Sequence, residues 1–282
     1  MANVDLRSIT QPVGIMRIMA TILTCMCFSL VAAVGHVLSP TSSYWAWCMF
    51  TWCFCFVFSF LILILEFTTV NTKLPFGWDD FTAAFAILAS LMCLTTSIIY
   101  PTFFAKNGGP RQIGASVVSW VCFGVYVGEV VLTRLRPSGE TIGFLSTLPG
   151  IMKMLETLLA CLIFTSLEGA QFVSHEIKWC VSVYALCFIF NVVIILLTLG
   201  RLASSFPFPF DKLVIGYNIL ATVMYMTAMV MWPLYSFRLN ICEPGCDRDK
   251  LIVVTFMTII NSIVYILDTA NSIRLVFCGG NH

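Results

Sequence analysis

The sequence contains few charged residues. Only 10% of its 282 residues are Asp, Glu, Lys or Arg, whereas soluble domains carry about 25%. The hydrophobic share is 59%, above the roughly 45–50% of soluble domains. This composition excludes an ordinary soluble domain, and the formal net charge of +1 excludes the strongly basic face of a nucleic-acid-binding protein. We therefore expect an all-α integral membrane protein without a nucleic-acid partner.

Residues and motifs that carry chemistry are also scarce. The chain has three histidines, and the HEIKW segment at His175 lacks the second histidine of the HExxH zinc motif. Cys53 and Cys55 lie two apart on an expected helix, so they point to different sides and cannot chelate one metal. The sequence has no G-x-S-x-G, P-loop or dinucleotide-binding motif. It therefore predicts no enzyme, no metal site and no cofactor.

Thirteen cysteines could suggest a disulfide scaffold, but nearly all lie inside apolar runs, where a thiol acts as a small buried hydrophobe. The segment CEPGC differs because it is a polar loop with a Pro-Gly turn, which makes Cys242 and Cys246 candidates for a disulfide. Cys278 follows the last expected helix and is a candidate palmitoylation site if that end is cytoplasmic.

Long charge-free runs indicate the membrane spans, because a helix needs about 20 mostly apolar residues to cross a bilayer. The run 18–65 contains 48 residues, enough for two helices. Three runs are short unless Glu129, Glu156 and Asp268 are admitted into their helices. The sequence then predicts eight transmembrane helices, at approximately 15–38, 47–68, 80–103, 112–133, 150–171, 179–200, 211–235 and 251–276.

The two halves of the sequence resemble each other. GIMRIMATILTC, starting at Gly14, returns as GIMKMLETLLAC, starting at Gly150, with a shift of 136 positions. Weaker matches pair Trp52-Cys53 with Trp179-Cys180, Pro101 with Pro233, and Tyr126-x-x-Glu129 with Tyr265-x-x-Asp268. We interpret these as two tandem four-helix units. An even number of helices per unit predicts a parallel repeat.

The repeat also predicts two ion pairs. Helical rise places Glu129 and Asp268 roughly 27 Å along the last helix of each unit, near one membrane face. Arg17 and Lys153 lie at the same face on the first helices. We therefore expect the structural pairs Arg17–Glu129 and Lys153–Asp268, each joining a first helix to a last. The alternative interpretation is a proton or ion relay, which intramembrane acids often mark.

The distribution of basic residues predicts the orientation. Nine Lys and Arg residues lie on the face that carries the acids, against six on the other. Because cytoplasmic loops carry the excess of positive charge, we expect that face, and both termini, to be cytoplasmic.

Several segments are specific enough to suggest a family. FTWCFCF, SIIYPT, TRLRPSGET, KMLETLLACLIF, WCVSVYALCFI and MVMWPLYSF, with the ending NSIVYILDTANSIRLVF, closely resemble the myeloid-associated differentiation marker proteins along nearly the whole chain. That resemblance implies two tandem MARVEL domains, expected at 10–137 and 146–278, each a four-helix transmembrane bundle. It also implies roles in membrane apposition, cholesterol-rich microdomains, vesicle traffic and the actin cortex.

The expected function is therefore a multi-pass organiser of the plasma membrane, and of vesicle membranes, that acts by lateral helix and lipid packing. Its expected partners are membrane lipids including cholesterol, other membrane proteins, cortical and trafficking proteins, and a second copy of the chain. The alternative is a small-molecule or ion transporter that uses the intramembrane carboxylates. A transporter is expected to have helices interrupted by Gly or Pro near mid-membrane, whereas we expect Pro101 and Pro233 to follow their helices.

Overall fold

The computed structural model describes residues 11–34, 42–70, 77–105, 109–135, 147–168, 174–199, 210–238 and 248–277. Within these residues it contains eight helices long and apolar enough to cross a membrane, and no strand. The chain divides into two compact units, 1–143 and 144–282. Helices suit such apolar segments because they satisfy every main-chain hydrogen bond internally, which a bilayer requires.

Each unit contains four helices. In the first unit they are α1 Pro12–Val34, α2 Ser43–Phe67, α3 Trp78–Tyr100, followed by a π-helical turn Pro101–Ala105, and α4 Pro110–Leu135. In the second they are α5 Leu148–Ser166, α6 His175–Leu199, α7 Phe210–Arg238 and α8 Arg248–Phe277. In both units each helix packs against its neighbours in sequence, and the first packs against the last. Each unit is thus a closed four-helix bundle.

Several helices extend further toward charged residues than predicted. The helix α6 begins at His175 rather than 179, and α8 begins at Arg248 rather than 251. Counting charge-free runs omits the charged first and last turns of a helix, although such turns can lie at the level of the lipid headgroups. The predicted ends of the first and fifth helices, at 38 and 171, lie outside the described residues.

One of the two prolines paired by the repeat does not lie where we expected. Pro233 is inside α7, five residues before its end at Arg238. Pro101 follows α3 directly but starts a π-helical turn instead of ending the helical path. Proline lacks an N–H and its ring crowds the preceding turn, and a local π turn is one way in which a helix accommodates the missing bond. The expectation that Pro233 follows its helix was therefore wrong, whereas Pro101 does follow α3.

The structure also corrects the register of the repeat in the middle helices. Trp47 Nε1 donates to Thr95 Oγ1 at 3.4 Å, and Trp179 Nε1 donates to Thr227 Oγ1 at 3.1 Å. Both pairs join the second helix of a unit to the third, and both span 48 positions. The partner of Trp179 is therefore Trp47, with a shift of 132, and the match of Trp52-Cys53 with Trp179-Cys180 was wrong.

The same shift relates the largest buried aromatic contacts. Trp52 packs edge-on against Tyr100 with ring centroids 5.2 Å apart, and Tyr184 packs against Trp232 at 6.2 Å. All four side chains are buried. The Trp and the Tyr have exchanged places between the units, so the aromatic packing is repeated although the residue types differ.

The repeated indole hydrogen bond is expected to stabilise the second unit only modestly. Trp179→Phe should cost about 0.6 kcal/mol, the average for interhelical hydrogen bonds in membranes, and lower the melting temperature by about 1–2 °C. The measurement is thermal unfolding of the purified protein in nanodiscs. Trp120→Phe is the control, because Trp120 is similarly exposed and its indole has no hydrogen-bond partner among the described residues. A loss as large for Trp120→Phe as for Trp179→Phe would contradict this prediction.

Candidate functional site

Two acidic residues of the first unit converge on Arg17 of α1. Arg17 Nε donates to Glu129 Oε1 of α4 at 2.6 Å, and Arg17 Nη1 contacts Glu66 Oε1 at the end of α2. Trp78, the first residue of α3, donates its indole N–H to the same Glu66 oxygen at 3.1 Å. One side chain from each helix therefore enters this cluster, which we call the arginine cluster. The Arg17 and Glu129 side chains are buried, and Glu66 is partly exposed.

The second unit has a more deeply buried arrangement around Lys153 of α5. Lys153 Nζ donates to Glu156 Oε2 at 2.7 Å and to Asn218 Oδ1 at 2.6 Å, and it lies 2.9 Å from Asp268 Oδ2. Asn218 of α7 also donates to Asp268 Oδ2 at 2.8 Å. The side chains of Lys153, Glu156 and Asp268 are at most 1% exposed. We call this group the lysine cluster.

Amides and hydroxyls extend the lysine cluster into the interior of the bundle. Asn191 of α6 donates through Nδ2 to Glu156 Oε2 at 3.0 Å and to the Tyr265 hydroxyl at 2.8 Å. The Lys153 ammonium also lies 5.2 Å from the ring centroids of both Tyr217 and Tyr265. A buried charge is tolerable only when it is paired and hydrogen-bonded, and this network supplies both.

The structure brings together both predicted pairs, Arg17 with Glu129 and Lys153 with Asp268. It adds three members that the pairing argument left out: Glu66, Glu156 and Asn218. The contact of Glu156 with Lys153 could have been predicted, because Glu156 lies three residues after Lys153 and such residues share a helix face. The pattern of charges carried no comparable signal for Asn218, an uncharged residue from another helix.

The other predicted sites lie elsewhere. Cys242, Cys246 and Cys278 are outside the described residues. The ten cysteines in the described part of the chain are free thiols, and Cys55 is buried while Cys53 is partly exposed. Across that same part, no group of three or more His, Cys, Asp or Glu side chains is placed to hold a metal ion.

Comparison with known proteins gives the family. Residues 8–132 and 144–270 each match MARVEL, the membrane-associating domain. The human myeloid-associated differentiation marker is 39% identical over 96% of this chain and 90% of its own length. A homolog from Xenopus laevis is 38% identical, covering 96% and 94% of the two chains. The mouse myeloid-associated differentiation marker-like protein 2 is 36% identical, covering 98% and 95%.

The chain belongs to the myeloid-associated differentiation marker family. No solved structure matches it. The two MARVEL matches and the eight apolar helices establish a multi-pass membrane protein built from two tandem four-helix MARVEL domains. Each MARVEL domain contains one of the two charge clusters, which join its first helix to its last. Neither the family description nor the names of these relatives denotes an enzyme.

Proposed function

We propose that this protein is a non-enzymatic organiser of the plasma membrane. It acts in cholesterol-rich microdomains, in membrane traffic and in the cortical actin changes that accompany cell spreading. One observation carries the proposal: the lipid-facing helix surfaces are apolar, whereas the six ionisable side chains of the two clusters are paired with one another inside the bundles. Such a molecule offers lipids and neighbouring proteins an extended apolar surface.

The outward surface is rich in large side chains. Phe50 of α2, Leu196 of α6, Leu234 of α7 and Phe256 of α8 are each more than half exposed within the bundle. In a soluble protein such a surface would cause association, but here it faces hydrocarbon. These exposed apolar faces support the proposed partners. The partners are lipids, other membrane proteins, cortical and trafficking proteins, and a second copy of the chain.

One stripe on α7 supports contact with cholesterol. Val230, Leu234 and Arg238 recur every fourth residue and are exposed, and the half-buried Tyr235 adjoins them. The segment fits the loose pattern L/V, Tyr, Lys/Arg that has been proposed for sterol binding. An aromatic ring beside aliphatic side chains and a cation offers a sterol both a flat apolar contact and a polar end.

The experiment combines phase partitioning with sterol photolabelling in cells. The protein is expected to enter the ordered phase of plasma-membrane vesicles and to leave it when cholesterol is depleted. A photoactivatable cholesterol should label α7, and Tyr235→Ala should reduce that labelling while Phe256→Ala, on another lipid-facing helix, should not. Partitioning that does not change when cholesterol is depleted would contradict the proposal.

Proximity labelling from the cytoplasmic face tests the proposed cytoplasmic termini and identifies neighbouring proteins.

A transporter remains the second candidate, because Pro233 lies inside α7 and three acids of the two clusters, Glu129, Glu156 and Asp268, are buried. A transporter reconstituted in proteoliposomes shows substrate-dependent flux that falls when Glu129→Gln or Asp268→Asn removes a carboxylate. An organiser shows no flux in either case. The closed pairing of the two clusters favours the organiser, since the acids of these clusters are bound to Arg17 and Lys153 near one end of each bundle and do not form a path across the membrane.

A further inference from the structure

The lysine cluster holds one more formal negative charge than positive charge. Lys153 contributes one positive charge, and Glu156 and Asp268 contribute two carboxyl groups. All three side chains are at most 1% exposed, so water cannot screen the imbalance. An uncompensated buried carboxylate costs several kcal/mol even after relaxation of its surroundings. The second unit therefore needs one further positive charge at this place.

Hydrogen bonding shows which groups are ionised. The Lys153 ammonium has three donors, and all three are used, on Glu156, Asn218 and Asp268. Two aromatic rings at 5.2 Å further stabilise it as a cation. Asp268 accepts through Oδ2 from Lys153 and Asn218, and through Oδ1 from Ser272 at 3.5 Å. Both Asp268 oxygens are thus acceptors, as an ionised carboxylate requires.

Glu156 differs from Asp268 in one oxygen. Its Oε2 accepts from Lys153 and Asn191, but its Oε1 is buried and has no hydrogen-bond partner. Among the described residues it is the only buried carboxylate oxygen in that condition. Asn261, whose Nδ2 donates to the Glu156 main-chain oxygen at 3.5 Å, also has a buried Oδ1 without a partner. A proton on Oε1 would remove the charge from this unpartnered oxygen and give it a hydrogen to donate.

The surroundings on all four helices are consistent with a neutral carboxyl. Lys153 of α5 and Asp268 of α8 are the charged groups that face Glu156, and they neutralise each other. The helix α6 contributes Asn191 and the neighbouring thiol of Cys187, and α7 contributes the Tyr217 hydroxyl. Tyr265 of α8 is the remaining titratable group, and it accepts from the same Asn191 amide.

Comparison of the two units shows that this polar interior is special to the second. The shift of 136 that aligns the first helices places Ala20 at the position of Glu156. The shift of 132 in the middle helices places Phe85 and Ala86 at the positions of Tyr217 and Asn218, and Cys122 matches Asn261 when Tyr126 is aligned with Tyr265. The first-unit residues in this set are buried apolar groups. The second unit therefore has polar side chains at positions where the first unit has buried apolar ones.

We propose that the second unit is a proton-binding site and that Glu156 carries the proton on Oε1 in the folded protein. Bound there, the proton leaves a neutral carboxyl beside a balanced Lys153–Asp268 pair. This inference is independent of the proposed role in membrane organisation, because it concerns the interior of one bundle and not its lipid-facing surface.

Infrared spectroscopy of the full-length protein in nanodiscs tests the proposal directly. A protonated carboxyl has a C=O stretching band above the amide I region, and an ionised carboxylate does not. We expect such a band near neutral pH, its loss in Glu156→Gln, and its persistence in Glu168→Gln, a partly exposed carboxyl of the same unit. Glutamine copies the neutral acid, so Glu156→Gln should change the melting temperature by less than about 3 °C.

Three results would overturn the proposal. The first is a Glu156→Gln spectrum identical to that of the wild type. The second is failure of Glu156→Gln to fold, because that would show that a negative charge is required at this position. The third is stabilisation of the wild type when sodium replaces N-methyl-glucamine, with loss of this effect in Glu156→Gln, since a bound metal cation would then supply the missing charge. Partitioning of the protein into the disordered phase of plasma-membrane vesicles would contradict the membrane-organiser proposal. It would not affect the infrared band, the folding of Glu156→Gln or the response to sodium.

Discussion

Replacing Lys153 by Met is expected to lower the melting temperature of the protein by roughly 6–20 °C. Removing one partner of a buried ion pair costs about 3–5 kcal/mol, because the other charge remains buried without compensation, and each kcal/mol corresponds to about 2–4 °C for a domain of this size. Asp268 would keep Asn218 and Ser272 but lose the one cation that pairs with it among the described residues. Methionine preserves most of the side-chain volume, so the loss reports on charge and not on a cavity.

A second lysine in the same unit provides the control. Lys250 of α8 lies 2.8 Å from Glu168 Oε2, but these side chains are 17% and 36% exposed. Exposed ion pairs contribute about 0–1 kcal/mol, so Lys250→Met should lower the melting temperature by less than about 4 °C. Both variants are measured by thermal unfolding in nanodiscs at one salt concentration. Equal losses for the two lysines would show that the lysine cluster does not hold the bundle together.

The helices could be predicted from the sequence because the bilayer imposes a length and excludes charge. Eight spans follow from counting apolar residues, provided that Glu129, Glu156 and Asp268 are accepted as parts of helices. The first residues of α6 and α8 could not be predicted in this way, because charged first turns at the membrane surface carry no hydrophobic signal. The π turn at Pro101 also depends on local backbone packing that composition does not specify.

The clusters were only partly predictable for a related reason. A repeated cation and a repeated acid at matching positions indicate a pair, and the structure places these residues of the first and last helices in contact. It omitted Glu66 because its apparent counterpart at a shift of 132, Thr198, is uncharged. It also relied only on identical residues at matching positions. Such a comparison misses equivalent positions where the residue types differ, as where Trp52 corresponds to Tyr184 and Tyr100 to Trp232.

The two units neutralise their acids in different ways, and the difference follows from the cation. The Arg17 guanidinium is a planar fork, so Nε and Nη1 can contact carboxylates from two different helices. Lys153 is a point charge with three rotatable donors, and it needs Asn218 as a third acceptor. Arginine therefore joins helices by geometry, whereas lysine depends on a surrounding network of amides. This contrast makes Arg17 the better site for measuring the pair energy.

A double-mutant cycle at Arg17 and Glu129 is expected to show strong coupling. Arg17→Met alone should cost about 3–5 kcal/mol, because Glu129 stays buried without the guanidinium that it pairs with. Glu129→Gln alone should cost less, about 1–3 kcal/mol, since Arg17 retains Glu66 and the amide can still accept a hydrogen bond. The double variant buries no lone charge at Glu129, so its loss should fall below the sum by about 0.5–3 kcal/mol.

The four proteins of this cycle are compared by reversible unfolding in one nanodisc composition, with expression measured alongside. Thr95→Val, combined with Glu129→Gln, is the control for additivity, because the Thr95 hydroxyl meets Trp47 and shares no partner with Glu129. Those two losses should add within about 0.5 kcal/mol. If Arg17→Met and Glu129→Gln add equally well, the contact between α1 and α4 is incidental to stability. The closure of the first bundle must then be attributed to apolar packing around Ala20 and Tyr126.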